Sequence, residues 1–111
     1  MKVDVLQGTL DMLVLKALSW GAMHGYGITR WLEQTTDSAL QVEEGSLYPA
    51  LHRMAKRGWV KAEWGVSENN RRAKYYTLTT AGRQQLRREA QTWEVFTRVV
   101  STVLSAQPTQ A

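Results

Sequence analysis

Apolar residues return at intervals of three and four in four stretches of this chain, and at intervals of two in one short region between the third and fourth. Those two periods separate amphipathic helices from half-buried strands. The first helix starts at Thr9, whose hydroxyl is placed to cap it, and ends near Gly21. Leu10, Leu13, Val14, Ala17 and Leu18 form its apolar stripe, and Met12 and Leu15 widen that surface beyond what one contact needs. A second helix opens within Met23-His24-Gly25-Tyr26-Gly27-Ile28 and runs to about Thr35, burying Ile28, Trp31 and Leu32. A third begins between Glu43 and Ser46 and stops at Gly58, with Pro49 favouring the later start because proline fits only a first turn. Leu47, Leu51 and Met54 define its buried face, so Tyr48, His52, Arg53 and Lys56 project outward.

Alternation takes over after Gly58. Val60, Ala62 and Trp64 fall on one side of a strand over residues 59–64, and a return strand rich in β-formers covers residues 74–78. The tip between them, residues 65–73, carries Asn69, Asn70, Arg71 and Arg72 at its far end. The final helix is capped by Thr79 or Thr80 and meets no proline before Pro108, which allows about 25 residues, or about 40 Å. Leu86, Ala90, Trp93, Thr97, Val100 and Leu104 repeat at intervals of four and three, broadened by Phe96, Val99 and Val103. That stripe is too long for a domain this small to cover, and a second copy is the simplest partner. The expected fold class is mainly α with a small β-hairpin, a winged helix-turn-helix followed by a long C-terminal dimerisation helix. Residues 1–78 form the winged part, 79–106 the helix of the same structural domain, and 107–111 a disordered tail. Leu10, Leu13, Val14, Trp93, Phe96, Val100, Val103 and Leu104 are the expected dimer contacts.

Charge gives the helix and hairpin a function. Residues 46–74 hold seven bases (Arg53, Lys56, Arg57, Lys61, Arg71, Arg72, Lys74) against two acids (Glu63, Glu68), whereas residues 1–45 are net −3. The excess positive charge therefore sits on one helix and one loop, as phosphate binding requires. An outward tyrosine beside histidine, arginine and lysine suits a major groove, and asparagines next to arginines on a wing suit sugar-phosphate or a minor groove. The candidate DNA-binding set on this reading is Tyr48, His52, Arg53, Lys56, Asn69, Asn70, Arg71, Arg72 and Lys74.

Other chemistries find little support. The chain of 111 residues has no cysteine, and its two histidines, His24 and His52, fall on different elements, which makes no metal site. The glycines at 25 and 27 are too short a pattern for a nucleotide fingerprint, and the preceding strand is missing, so they read as tight turning and close helix packing, with His24 as a turn or capping residue. No paired carboxylates or phosphate loop point to an enzyme, and no cofactor is implied. The most apolar run, residues 12–20, is broken by Lys16 and too short to span a bilayer, so the protein is expected to be soluble and cytoplasmic. A winged-helix protein-interaction module without specific DNA binding is the alternative reading.

Several short motifs occur in a telling order: Leu10-Asp11, His24-Gly25-Tyr26-Gly27, Glu44-Gly45-Ser46-Leu47-Tyr48-Pro49-Ala50-Leu51, Arg57-Gly58, Arg72-Ala73-Lys74-Tyr75-Tyr76, Leu78-Thr79 and Gly82. In that order the chain resembles the PadR family of transcriptional regulators, from Leu6 to about Leu104. The resemblance implies a homodimeric DNA-binding protein, usually a repressor, with the third helix in the major groove. It places DNA contacts on Ser46, Tyr48, His52, Arg53, Asn70, Arg71 and Lys74. The chain is similar to the short type, with one helix after the wing. Some short members have a tryptophan at the place of Trp93 that lines a central pore for flat aromatic compounds, which implies a planar aromatic effector at Trp93 and Phe96.

Overall fold

The computed structural model describes residues 8–108. Its elements run α1 (Thr9–Leu18), β1 (Met23–His24), α2 (Gly25–Thr35), α3 (Glu44–Lys56), β2 (Val60–Val66), β3 (Arg72–Leu78) and α4 (Thr80–Ser105). The three strands form one antiparallel sheet in the order β1-β3-β2. The hairpin was legible in its own alternation, but β1 was not, because two residues are too few to show a period. Met23 pairs with Tyr76 and His24 with Tyr75, which pins the start of α2 to the edge of the wing sheet.

Helices α1, α2 and α3 converge on a core built from Val14, Leu15, Leu18, Ile28, Leu32, Leu47, Leu51 and Met54, all with essentially no solvent exposure. Burying a side chain of this size contributes about 1.5–3 kcal/mol relative to leaving it in water. Val60, Tyr76 and Leu78 close the core from the sheet side. Trp31, expected inside, is only half-buried at its margin.

Several boundaries differ from the expectation. Thr9 lies within α1, and the cap position belongs to Gly8, at φ 93°, which offers no capping side chain. Helix α3 starts at Glu44, so Pro49 is its sixth residue rather than part of its first turn. The Glu43 carbonyl accepts from both the Ser46 and Leu47 N–H groups at 3.0 Å. Gly45 and Pro49 are both at the surface, so the Gly45 carbonyl that loses its donor to proline can turn to water. The wing tip is residues 67–71, shorter than expected, because Val66 still pairs with Arg72.

The ends of α3 and α4 meet in one knot. Gly58, at φ 77°, terminates α3 with its N–H on Ala55 O at 3.1 Å, while the Trp59 N–H reaches Met54 O at 2.9 Å. The Thr79 hydroxyl donates to the Gly58 carbonyl at 2.6 Å and accepts from the Gly82 N–H at 3.0 Å, capping α4. A Cβ on Gly82 would lie 2.1 Å from the Trp59 carbonyl oxygen, so the start of α4 packs directly on the backbone that links α3 to β2. From there α4 runs 26 residues, and Gly82 is its sole buried residue. Ala106, expected inside the helix, is its C-cap; of the expected tail, residues 107 and 108 follow it and 109–111 lie outside the described residues.

Candidate nucleic-acid interface

On α3 the buried positions are Leu47, Ala50, Leu51 and Met54, which leaves Ser46, Tyr48, His52, Arg53 and Lys56 on its exposed surface. Arg53 is not a free cation. Its Nη2 donates to Asp11 Oδ1 of α1 at 3.0 Å, and the side chains are 51% and 12% exposed respectively. One edge of the guanidinium is therefore committed to α1, and the rest remains open to solvent.

The wing carries the second set. Asn69, Asn70, Arg71, Arg72 and Lys74 are all exposed. Asn70 has a left-handed backbone, φ 58°, and its N–H donates to Ser67 O at 2.9 Å, while Ser67 N–H donates to Arg71 O at 2.7 Å. Asn70 thus shapes the turn that lifts Arg71 outward, because asparagine tolerates this conformation better than most residues. Below the tip, Trp64 pairs across the hairpin with Lys74, and the Arg72 guanidinium lies 4.4 Å from its ring centroid. Lys74 Nζ is 5.8 Å from the same ring. The indole face attracts both cations and orders side chains that would otherwise be loose. Trp64 shares the strand face of Val60 and Ala62 but lies past the end of the core, so it stays exposed.

Between the wing and the helices lies an open groove of about 1170 Å³. Its walls include His24, Tyr26 and Arg30 near the start of α2, Tyr48 from α3, and Trp64, Arg71, Arg72 and Lys74 from the wing. His24 caps α2, with Nδ1 accepting the Gly27 N–H at 2.9 Å. Gly25 answers to close packing: a Cβ there would meet the Tyr48 hydroxyl oxygen at 2.5 Å. Gly27 meets nothing closer than 3.5 Å. Tyr26, Arg30 and Trp64 were missing from the sequence-derived set. The signal for Trp64 was its strand alternation, which put an aromatic on the core face beyond the core.

The expected dimer contacts divide. Val14 is fully buried inside its own chain's core, which corrects its assignment to a partner contact. It belongs to the same buried cluster as Ile28, Leu32, Leu47 and Leu51, and the periodicity of one helix cannot say which neighbour covers which part of a broad stripe. Leu10 and Leu13 pack partly on the core. Val100 is half-buried. Trp93, Phe96, Val103 and Leu104 remain open, with Leu104 at 80% exposure. Trp93 and Phe96, ring centroids 6.0 Å apart, line a second cavity of about 440 Å³ with Met12 of α1 and Glu89 of α4. Among the described residues no helix is long and apolar enough to cross a membrane.

Comparison with known proteins agrees with this architecture. A transcriptional regulator from Clostridium thermocellum superposes with a TM-score of 0.81 at 30% identity, covering 90% of this chain and 97% of that one. A PadR-like transcriptional regulator from Bacillus cereus gives 0.78 at 29% identity, covering 92% and 97%. The negative transcriptional regulator PadR of Bacillus subtilis is 26% identical over 77 residues, which is 69% of this chain but 42% of that protein. These neighbours are regulators rather than enzymes. The profile of the transcriptional regulator PadR-like family matches residues 14–88, and with the winged fold in place the chain belongs to that family.

Proposed function

We propose that this PadR-family regulator binds duplex DNA sequence-specifically as a homodimer and represses transcription from a two-fold symmetric operator. Helix α3 enters the major groove, and the wing lies on adjacent backbone or in the minor groove. The observation that carries this reading is the shared groove. Tyr48 of α3 and the cations Arg71, Arg72 and Lys74 of the wing line one concavity, so base-reading and phosphate-neutralising groups face the same side. Dimerisation is supported by α4, whose Trp93, Phe96, Val99, Val103 and Leu104 stay exposed while its first turns pack on the core through Leu86. The test is selection of bound duplexes from a random-sequence pool at about 0.15 M salt, where nonspecific attraction is weakened. Enrichment of a symmetric motif with half-sites about one helical turn apart supports the reading. No enrichment refutes it and favours a protein-interaction module.

The cavity beside Trp93 and Phe96 supports a second element, a planar aromatic effector held against these rings at the dimer centre. Quenching of tryptophan fluorescence by a planar aromatic, lost in Trp93→Phe, is the expected result. Equal quenching in both proteins would place the ligand elsewhere.

A further inference from the structure

Two surfaces meet in the first turns of α1. Met12 walls the cavity of about 440 Å³ opposite Glu89, Trp93 and Phe96 of α4, and Asp11, its neighbour in sequence, holds Arg53 of α3 at 3.0 Å. Successive residues of a helix are only about 1.5 Å apart along its axis, so a shift of this end of α1 moves both side chains together.

The two ends of α1 are held unequally. Val14, Leu15, Ala17 and Leu18 are locked in the core, whereas Gly8 at the cap position lies at the surface and offers no side chain to the first-turn N–H groups. The helix is anchored in its far half and can pivot at its start. Across the cavity, α4 carries an unmet demand. Glu89 Oε1 accepts from Gln85 Nε2 at 3.0 Å, and Gln85 Oε1 accepts from Arg88 Nη2 at 2.7 Å. Glu89 Oε2 is covered and has no hydrogen-bond donor among the described residues. A covered carboxylate oxygen without a donor raises the free energy of the closed cavity, and widening the cavity brings water to it. The closed arrangement is thereby brought nearer in energy to an open one, as a two-state element requires.

We infer that the start of α1 couples this cavity to the DNA-reading helix through the Asp11–Arg53 pair. A planar group seated against Trp93 and Phe96 displaces Met12, Asp11 moves with it, and Arg53 loses the contact that sets its guanidinium on the α3 surface. The inference rests on the DNA-binding and effector readings above and makes Asp11 a positioning residue, acting only through Arg53.

The chain has no cysteine, so Thr92→Cys puts a single thiol on the cavity wall. Alkylation with monobromobimane then fixes a planar bicyclic group there without any need for affinity. Binding to the duplex enriched from the random pool is compared before and after labelling in Thr92→Cys alone, with Asp11→Asn, and with Arg53→Ala, while sedimentation follows the oligomer. Labelling is expected to lower affinity about tenfold where the pair is intact and to change nothing where either partner is replaced. A pair with only a structural role would leave the labelling effect equal in all three backgrounds, which overturns the coupling. Affinity untouched by the label in the intact background overturns it as well and leaves DNA binding standing. Loss of the dimer on labelling, with DNA released alike in every background, overturns it in favour of control by dimerisation. Absence of DNA binding by the unlabelled protein removes the coupling and the DNA-binding reading together. The expected pattern, obtained while no free planar aromatic quenches Trp93, supports the coupling and strikes only the effector.

Discussion

Arg53 of α3 and Asp11 of α1 are joined across 42 residues of sequence by a 3.0 Å hydrogen-bonded ion pair. Asp11 is almost covered, while half of the Arg53 side chain remains in water, so the pair sits at the edge of the core with a cationic side turned outward. Arg53→Ala is expected to cost about 1–2 kcal/mol of stability, a value discounted for the exposure of the arginine, because it strips the nearly buried carboxylate of its partner. Urea unfolding reads that cost. If Arg53 also reads a base edge, Asp11→Asn should broaden base preference in a selection experiment by loosening the guanidinium. Unaltered preference would restrict the pair to a structural role.

On the wing, Arg72 is held near the Trp64 ring and carries a full charge at the surface. Arg72→Ala is expected to weaken binding to all duplexes alike and to make the slope of log affinity against log salt shallower by about one unit. A titration series in salt measures this. An unchanged slope would remove Arg72 from the interface.

Gly82→Ala should be among the most damaging small changes. Its Cβ would fall 2.1 Å from the Trp59 carbonyl, a backbone atom that cannot rotate away, and α4 would have to shift off the segment that links α3 to β2. A loss of about 3 kcal/mol is expected, at the upper end of overpacking costs. Thr79→Ala, which removes only the cap and its hydroxyl contacts, should cost about 1 kcal/mol. Denaturant midpoints that placed the two variants level would contradict this packing account.

The bare distal part of α4 leads to a concentration-dependent prediction. Val99→Asp together with Val103→Asp places two charges on exposed positions of the helix, so a monomer should fold with little local cost. Sedimentation should show the variant monomeric where wild type is dimeric, with a melting temperature no longer rising with protein concentration. A wild-type monomer at all concentrations would remove the dimer from the proposal.

Alkali provides a further test. Burial first, and the nearby Tyr48 phenol second, raise Tyr76 above the ordinary value of 10.0. Above about pH 10 the unfolded chain has released this proton while the folded chain still keeps it, so stability must fall as pH rises through that range. Tyr76→Phe should flatten this alkaline limb, measured as urea midpoints on either side of about pH 10. An identical limb in the variant would assign the effect to other groups.

How much could be read from the residues alone follows from the range of the forces involved. Helix faces, the stop at Gly58, a cap at Thr79 or Thr80 and the run without proline before Pro108 depend on neighbours within a turn or two, so periodicity and capping chemistry were enough to find them, and the structure chose Thr79. The basic helix and wing were legible for the same reason, as a local excess of charge. Tertiary structure decided the rest. It added β1, whose two residues acquire their meaning only by pairing with Tyr75 and Tyr76. It placed Val14 in the core instead of on a partner, tied Arg53 to Asp11, and brought Tyr48 over Gly25. Each of these depends on which element lies across from which. An amphipathic pattern states that a face must be covered, but what covers it is settled only when the whole chain packs together.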